Sequence, residues 1–368
     1  MSKYQSEEKM VLEGRKVKIM SVERAASADA GVVTDYFRCT VVRDSFFRAD
    51  FSIPSNGRNG DLDLIVDPLQ QDSEIVFDLA VHWARLLGFE PGEVRPGRDF
   101  YDHTYTVVNE DGIEVGSVSG GGVMQRGTFC FTLKGYGCTS AISGWETRVY
   151  EFLSPLQATI TRIDLARDFF KGEYGFQAAF DAYQNDEFSY RGRKPSFDDA
   201  GSKKGYATTF YVGKRESGKL FRGYDKGHQF KLMDDPWWRA EVELRNHNRV
   251  IPLEALIRPA SFFAGAYGFC ARILENVEPQ AIPTGLKVAE ASVERTLQWF
   301  EKTVAPSLVH ISMTAGFDWL TRMAVEHAHR DKPRSLKGLS SDSIKSGVQR
   351  ACKRFIHTSP EPAGLMAS

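Results

Sequence analysis

The segment Thr161-Arg-Ile-Asp-Leu-Ala-Arg-Asp168 alternates charged with apolar side chains, and Trp238-Arg-Ala-Glu-Val-Glu-Leu-Arg245 repeats the alternation. Alternate side chains of an extended strand lie on one face, so both segments predict strands with a charged face and an apolar face. Val242 and Leu244 then turn to the core. If the two strands are sheet neighbours, their acids and arginines meet on one surface.

A third segment, Lys219-Leu-Phe-Arg-Gly-Tyr-Asp-Lys226, places Arg222, Tyr224 and Lys226 in one row by the same spacing. A phenol with an ordinary pKa of about 10 needs a metal, a base or cationic neighbours to act as a nucleophile. Arg222 and Lys226 could supply positive charge and hold a phosphate. The three residues are therefore candidates for catalysis. The alternative is a tyrosine that packs with a hydrogen-bonded tip.

The acids of these strands are candidate metal ligands: Asp164, Glu241 and Glu243. Carboxylate oxygens suit Mg²⁺ or Mn²⁺ rather than zinc. The alternative is a solvated face with cross-strand ion pairs. Whether Glu243 or Asp168 completes a metal site stays open, and Asp168 could instead cap the turn after its strand.

Other motifs give no site. The pair in His327-Ala-His329 falls in a helical pattern, where residues two apart diverge by about 200°, so it is rejected as a metal site. The glycine clusters lack the Lys-Ser/Thr of a P-loop, and no Gly-x-Ser-x-Gly elbow occurs. Neither ATP binding nor a serine hydrolase is indicated.

The formal charge of the 368-residue chain is −1, which gives no global sign of a nucleic-acid partner. Residues 201–231, however, hold eight lysines and arginines against two acids. Such a run is either a solvated face or a local DNA-binding surface.

The five cysteines are scattered without a Cys-x-x-Cys pair, which argues against a zinc ribbon or a disulfide scaffold and fits a reducing compartment. No stretch approaches 18 apolar residues, so no membrane partner is expected. The sequence predicts a soluble, cytoplasmic protein.

The pattern of elements predicts an α+β fold, with an antiparallel β-sheet core, flanking helices and a helical C-terminal region. We expect a flexible N-terminal segment at 1–30, a catalytic domain at 31–255, a helical domain at 256–356 and a flexible tail at 357–368. Within this plan we predict a helix ending at Gly88, an antiparallel meander at 100–134 and a hairpin at 205–225. Further helices are predicted at 145–153, 176–183, 261–276, 287–304, 307–329 and 342–355.

Four segments in this order resemble the replication initiation factor family of rolling-circle plasmid and filamentous-phage initiators. They lie at 162–168, at Tyr211-Val-Gly-Lys-Arg-Glu-Ser217, at 222–226 and at 239–245. Gly135-Tyr-Gly-Cys138 is similar to the motif that precedes the first, and residues 297–307 look like the tail of phage-type members. The resemblance covers roughly residues 33–250. Lys214 departs from the pattern, where a small residue is common.

The resemblance implies a DNA nickase that starts rolling-circle replication of a phage or plasmid. Tyr224 is similar to the tyrosine that attacks the origin strand, becomes joined to the 5′ phosphate and frees a 3′ hydroxyl. Asp164, Glu241 and Glu243 match acids that would hold Mg²⁺ or Mn²⁺. Because the ester to tyrosine stores the broken linkage, rejoining needs no ATP, in keeping with the missing P-loop.

The implied partner is origin DNA, double-stranded and single-stranded, in the cytoplasm of a bacterial host cell. A host helicase and a second copy of the chain are further candidate partners. The candidate DNA-binding residues are Arg162, Lys214, Arg215, Lys219, Arg239 and Arg245, with Arg222 and Lys226 also near the backbone. Contacts of this class make affinity fall with salt. The tail helices, basic near the end of the chain, either assist or form a solvated bundle.

Two other functions stay open. A DNA-binding replication regulator of the same fold would bind the origin without chemistry. A metal-dependent nuclease that uses water would nick DNA and leave no protein attached.

Overall fold

The computed structural model describes residues 3–47, 70–125, 127–190, 192–200, 209–284, 304–316, 318–327 and 345. The chain divides into two compact units. The first contains Met1–His247 and Ile251–Ile282, and the second contains Asn248–Val250 and Pro283–Ser368.

The first unit is built on one antiparallel sheet flanked by helices, so the predicted α+β class is confirmed. Within the described residues the sheet has ten strands in the order β2-β3-β4-β5-β1-β6-β10-β9-β8-β7. The strands are β1 Val32–Val42, β2 Glu90–Pro96, β3 His103–Val108, β4 Glu114–Gly120, β5 Thr128–Leu133, β6 Thr159–Phe169, β7 Phe197–Ala200, β8 Thr209–Lys214, β9 Lys219–Asp225 and β10 Trp238–Arg245.

Helices of the first unit are α1 Lys3–Ser27, α2 Asp72–Leu87, α3 Gly135–Ser140, α4 Trp145–Leu153, α5 Phe176–Gln184, α6 Lys226–Gln229, α7 Pro259–Ala264 and α8 Gly268–Arg272. In the second unit, α9 Ala305–Ala315 and α10 Asp318–His327 are described. Within the described ranges, no helix is both long enough and apolar enough to cross a membrane.

Helix α2 forms where the apolar period is clearest. Ile75, Leu79 and Trp83 are fully buried on one side of it, and Gly88 ends the helix in the left-handed region at φ 76°. The predicted helix and its stop are both found.

The alternating segments occupy the centre of the sheet. β10 lies between β6 and β9, and Glu243 is directly opposite Asp164. On the apolar face, Ile163, Val242 and Leu244 enter the core, as the alternation predicts. The charged side chains therefore share the other face. The predicted hairpin is β8–β9, with β9 ending at Asp225.

The N-terminal segment differs from its prediction, because α1 spans most of it. Its buried positions include Gly14 and Ser21, which are small, whereas Leu12 and Ile19 are more than half exposed. A helix with this inverted distribution shows no apolar period in the sequence. Gly14 is required for the approach, since a Cβ there would lie 2.4 Å from Phe230 Cβ.

The helix predicted at 261–276 is divided into α7 and α8, and both belong to the first unit, which extends to Ile282. The unit therefore passes the domain boundary predicted near residue 255. The other predicted domain limits stay predictions. Several predicted elements lie wholly or largely outside the described residues, namely the loop at 50–72, the helix at 287–304 and, except for Lys345, the helix at 342–355.

Gly223 allows Trp238 to pack across β9 and β10, because a Cβ at position 223 would lie 2.3 Å from Trp238 Cζ2. We expect Gly223→Ala to lower the free energy of unfolding by about 1–3 kcal/mol through overpacking. Urea denaturation measures the change. The control is Gly175→Ala, where no atom lies within 4 Å of the added Cβ. Equal stability of the two variants would contradict this packing.

Candidate active site

Three strands bring the predicted catalytic segments together. In the sheet register, Tyr224 of β9 is opposite Arg239 of β10, and Arg222 is opposite Glu241. Because β6 flanks β10 on its other side, Asp164 joins the same charged face. The strands β6, β9 and β10, whose adjacency was only a hypothesis at the level of the sequence, are thus neighbours in the sheet.

The Tyr224 hydroxyl donates a hydrogen bond to Glu241 Oε2 at 2.9 Å. The tyrosine is 8% exposed, yet it lies on the charged face and not in the apolar core. Burial, together with the negative charge of Glu241, raises the pKa of Tyr224 well above its ordinary range. The phenol is therefore a protonated donor in this arrangement, with a carboxylate placed to receive its proton.

Arg222 connects the two acids nearest the tyrosine. Its Nη2 atom donates to Asp164 Oδ2 at 3.2 Å and also contacts Glu241 Oε1. One nitrogen atom thus lies between two carboxylates. The Nε atom of the same side chain is buried and has no hydrogen-bond partner among the described residues.

Asp164 is 1% exposed and also accepts two hydrogen bonds from Arg162, from Nε at 2.9 Å and from Nη2 at 2.5 Å. Burial raises the pKa of the Asp164 carboxyl to about 8, although the hydrogen bond from Arg162 acts to lower it. The negative charge of Glu241 adds to the rise.

Glu243 is committed to a different set of arginines. It accepts from Arg245 Nε at 2.5 Å and Arg215 Nε at 3.2 Å, and Arg162 Nη2 lies 3.4 Å away. Burial acts to raise the pKa of Glu243, but the hydrogen bond from Arg245 and the nearby arginine charges outweigh it and hold the pKa below its ordinary value. Glu243 therefore anchors arginines, whereas the Tyr224 hydroxyl is bound by Glu241.

Arg239 is a buried bridge and not a surface residue. It is 2% exposed, and it donates to Asp168 from Nε at 2.8 Å and Nη2 at 2.7 Å, and to Asp35 from Nη1 at 2.6 Å. Asp168 also accepts from Trp237 Nε1 at 2.6 Å. The expected contact of Arg239 with DNA is corrected accordingly, and Asp168 is occupied by donors and not placed as a metal ligand.

Asp35 and Trp237 are the members of this bridge that the sequence did not single out. Asp35 reaches the charged face because the register of β1 and β6 shifts between Thr34 and Tyr36. A reading of the sequence that assumes strict alternation of residues between the two faces of a strand does not reveal such a bulge. For Trp237 the usable signal was its position one residue before the charged strand, where an indole N–H needs an acceptor when buried.

Lys226 follows the tyrosine at the start of α6. Its Nζ atom lies 5.5 Å from the centroid of the Tyr224 ring. Burial and the charge of Arg239 lower the pKa of Lys226. The lysine is placed to act on charge that develops near the phenol.

The remaining predicted DNA-binding residues do not form one group. Arg162, Arg215 and Arg245 lie partly exposed on the charged face, where they surround Glu243. Lys214 is exposed at the hairpin. Lys219 is opposite Lys214 in the hairpin, but its ammonium lies 3.9 Å from the ring centroid of Tyr267 and contacts the Ala266 carbonyl.

Asp164 and Glu241 have the right chemistry for a divalent ion. In the described part of the chain, no group of three or more His, Cys, Asp or Glu side chains has metal-binding geometry. Oxygens of these two acids nevertheless converge on a single cationic atom, Arg222 Nη2. This convergence fits a hard cation with two protein ligands, whereas the Glu243 carboxylate is taken by arginines.

Comparison with known proteins agrees with the resemblance drawn from the motifs. Residues 158–323 match the family model described as replication initiation factor. The matched stretch includes β6, β9 and β10, and it bears out the resemblance to this family that the motifs indicated.

Comparison with curated proteins found no match. Among solved structures, the chain is similar to a rolling circle replication initiator protein from Geobacillus stearothermophilus, with 19% identity and a TM-score of 0.45. That similarity covers 69% of this chain and 98% of the other.

The raised pKa of Asp164 predicts how stability changes with pH. Its folded pKa of about 8 lies above the ordinary range, so the folded protein holds a proton that the unfolded chain releases. The contribution of Asp164 to stability is therefore largest at pH values below the pKa that this carboxyl has in the unfolded chain. It is lost as the pH rises toward about 8, the pKa in the folded protein. We expect the urea midpoint of the wild type to fall more steeply than that of Asp164→Asn between about pH 4 and about pH 8, where only the unfolded chain has released this proton.

The control for this comparison is Asp111→Asn, an exposed carboxylate in a turn. Its pH slope should follow that of the wild type. Equal slopes for wild type and Asp164→Asn would show that Asp164 ionises before the protein reaches neutral pH.

Proposed function

We propose that the protein initiates rolling-circle replication by nicking and rejoining one origin strand through a covalent bond to Tyr224. The observation that carries the proposal is the hydrogen bond from the Tyr224 hydroxyl to Glu241, within 2.9 Å, in a site that also holds Asp164 and Arg222. The family match at 158–323 supports the coarser role in replication.

Proton transfer to Glu241 begins the proposed reaction. As Tyr224 Oη attacks the phosphorus, its proton passes to Glu241 Oε2, and the bond between phosphorus and the 3′ oxygen breaks. The leaving oxygen takes a proton from water and becomes the 3′ hydroxyl that primes synthesis, while the 5′ phosphate stays on Tyr224. Attack by a 3′ hydroxyl on this phosphotyrosine reverses the step and restores the DNA strand.

Asp164 and Glu241 would hold Mg²⁺ or Mn²⁺ in this site. When bound, the ion supplies positive charge that stabilises the phosphate oxygens and lowers the cost of forming the phenolate. Asp164 must be deprotonated to act as a ligand, and its raised pKa means that ion binding would release a proton near neutral pH.

Arg222 and Lys226 would stabilise the negative charge of the reacting phosphate. Both belong to the row that includes Tyr224, and both are largely buried, so their charges are weakly screened. Arg222 offers a planar guanidinium suited to two phosphate oxygens. Lys226 offers a single ammonium near the phenol ring.

The exposed cations of the charged face and the hairpin would hold origin DNA, both as duplex and as the single strand that is cut. Arg162, Arg215, Arg245 and Lys214 are the proposed contacts, with affinity that falls as salt increases. A host helicase and a second copy of the chain remain candidate partners.

A non-catalytic DNA-binding replication regulator is the second candidate. The observation that favours it is that Tyr224 is buried and that every acid beside it is neutralised by an arginine. Such a protein would bind the origin equally well with or without a chelator and would leave the DNA intact.

Replacing Tyr224 by phenylalanine removes the proposed nucleophile and one hydrogen bond only. Supercoiled origin DNA incubated with Mn²⁺ and wild type should give nicked circles with protein attached, seen on a denaturing gel. With Tyr224→Phe we expect both the nick and the attached protein to be lost. The matched control is Tyr36→Phe, because Tyr36 lies opposite Asp164 on the same face.

Nicking that survives in Tyr224→Phe would exclude the tyrosine as nucleophile. Nicks without attached protein in the wild type would point to attack by water. Origin binding without any nick in the wild type would favour the regulator.

Glu241→Gln keeps the size of the side chain and removes the proton acceptor. We expect the single-turnover nicking rate to fall by about 10²–10⁴-fold, as for the loss of a general base. Glu243→Gln is the matched comparison, since Glu243 anchors arginines two residues away, and its rate should fall less. A loss in Glu243→Gln as large as that in Glu241→Gln would mean that Glu243 takes part in the chemistry.

A further inference from the structure

We infer that Arg222 is an internal cation that competes with the divalent ion for Asp164 and Glu241, and that binding of a phosphodiester draws it away. The inference rests on the proposed function of this site. It assigns Arg222 two alternative positions, one on the acids and one on the DNA phosphate.

The geometry of one atom carries the inference. Arg222 Nη2 contacts Glu241 Oε1 and lies 3.2 Å from Asp164 Oδ2, so it takes up the point on which both acids converge. A divalent ion that bridged the same two oxygens would need that point. The guanidinium and the ion therefore exclude each other.

Glu241 has its ion pair with Arg222, whereas Asp164 and Glu243 are paired with other arginines. Asp164 also pairs with Arg162, and Glu243 pairs with Arg215 and Arg245. Among the described residues, the ion pair of Glu241 is with Arg222, and its second oxygen accepts the Tyr224 hydroxyl. Removing Arg222 therefore leaves a buried carboxylate that needs a new cation.

Charge balance then couples the ion to the DNA. With Arg222 and Arg162 in place, the negative charge of Glu241, and that of Asp164 when it is ionised, is already balanced, so a divalent ion added beside them would be repelled. A phosphodiester offers Arg222 two oxygens in the geometry that guanidinium prefers. Transfer of Arg222 to the phosphate exposes the acids, so DNA and the ion should each raise the affinity of the protein for the other.

The side chain of Arg222 is able to make this exchange. It is 21% exposed, and its buried Nε has no hydrogen-bond partner among the residues described, so its present contacts leave a donor unsatisfied. Arg239 on the neighbouring strand is the opposite case, since it is 2% exposed and all its charged contacts are to two fixed acids. Of these two arginines, Arg222 is therefore the one whose exposure and contacts allow it to move from the acids to a phosphate.

The test measures Mn²⁺ binding to the full-length protein without DNA, by titration calorimetry and by the loss of the free Mn²⁺ signal in electron paramagnetic resonance. We expect Arg222→Gln to bind Mn²⁺ at least about tenfold more tightly than wild type, because a nearby positive charge is removed. The matched control is Arg272→Gln, which breaks an Arg–Glu ion pair with Glu187 outside the site. It should bind Mn²⁺ as the wild type does.

A second measurement stays informative if Arg222→Gln folds poorly. The affinity of Tyr224→Phe for Mn²⁺ is measured with and without a single-stranded origin oligonucleotide, which this variant should not cleave. We expect the oligonucleotide to tighten Mn²⁺ binding at least about tenfold. In folded Arg222→Gln the same oligonucleotide should have little effect on Mn²⁺ affinity.

Unchanged Mn²⁺ affinity in folded Arg222→Gln, or the absence of linkage in Tyr224→Phe, would overturn the inference. A wild type that still forms the covalent product in that case would leave the proposed function standing. Tight Mn²⁺ binding by Arg222→Gln combined with no covalent product from wild type would instead reject the proposed function and retain the competition between arginine and ion.

Discussion

The site depends on the neutralisation of carboxylates that the sheet buries. Asp164, Glu241 and Glu243 are each at most 1% exposed, and an ionised carboxylate without a partner is costly at such depth. The arginines that share their face supply the compensation: Arg162, Arg215, Arg222 and Arg245. Because acids and arginines share one face of neighbouring strands, the register that builds the sheet also sets the pair of Arg222 with Glu241 and brings Asp164 beside them. Strand pairing and electrostatics are thus one constraint in the centre of this sheet.

Two kinds of arginine follow from this arrangement. Arg239 is enclosed by Asp35 and Asp168, and Trp237 fixes Asp168 from a further side, so this part of the face is rigid. Arg222 and Arg162 combine buried acids with guanidinium groups that still reach solvent. The tyrosine lies between the two parts, opposite Arg239 and two residues from Arg222 on its own strand. Tyr224, the proposed nucleophile, therefore lies between the enclosed Arg239 and the more exposed Arg222.

The sequence predicted the three central strands because the alternation of apolar and charged residues along each strand does not depend on which elements the strand packs against. It also predicted which residues share a face within each strand, since that depends on parity alone, and it supposed that the faces with Tyr224, Asp164 and Glu241 meet. Three features could not be obtained in this way. The bulge that brings Asp35 to the face breaks parity, and the partners of the acids depend on side-chain directions across strands. Helix α1 buries the small residues Gly14 and Ser21 but leaves Leu12 and Ile19 exposed. Arg239 was assigned to DNA for the same reason, because parity tells on which face a side chain lies but not how deeply.

For the proposed exchange, the guanidinium shape of Arg222 matters more than its positive charge. A lysine at this position could neutralise one acid as a point charge, but a planar guanidinium can contact two carboxylates and later two phosphate oxygens with the same atoms. The phenol beside it has its pKa raised by burial and by Glu241, although the charge of Arg222 acts to lower it. Any change that replaces the arginine by a cation of higher charge, at the same point between Asp164 and Glu241, would favour the phenolate. In the proposed mechanism, the position of this one side chain would link the arrival of DNA to the activation of Tyr224.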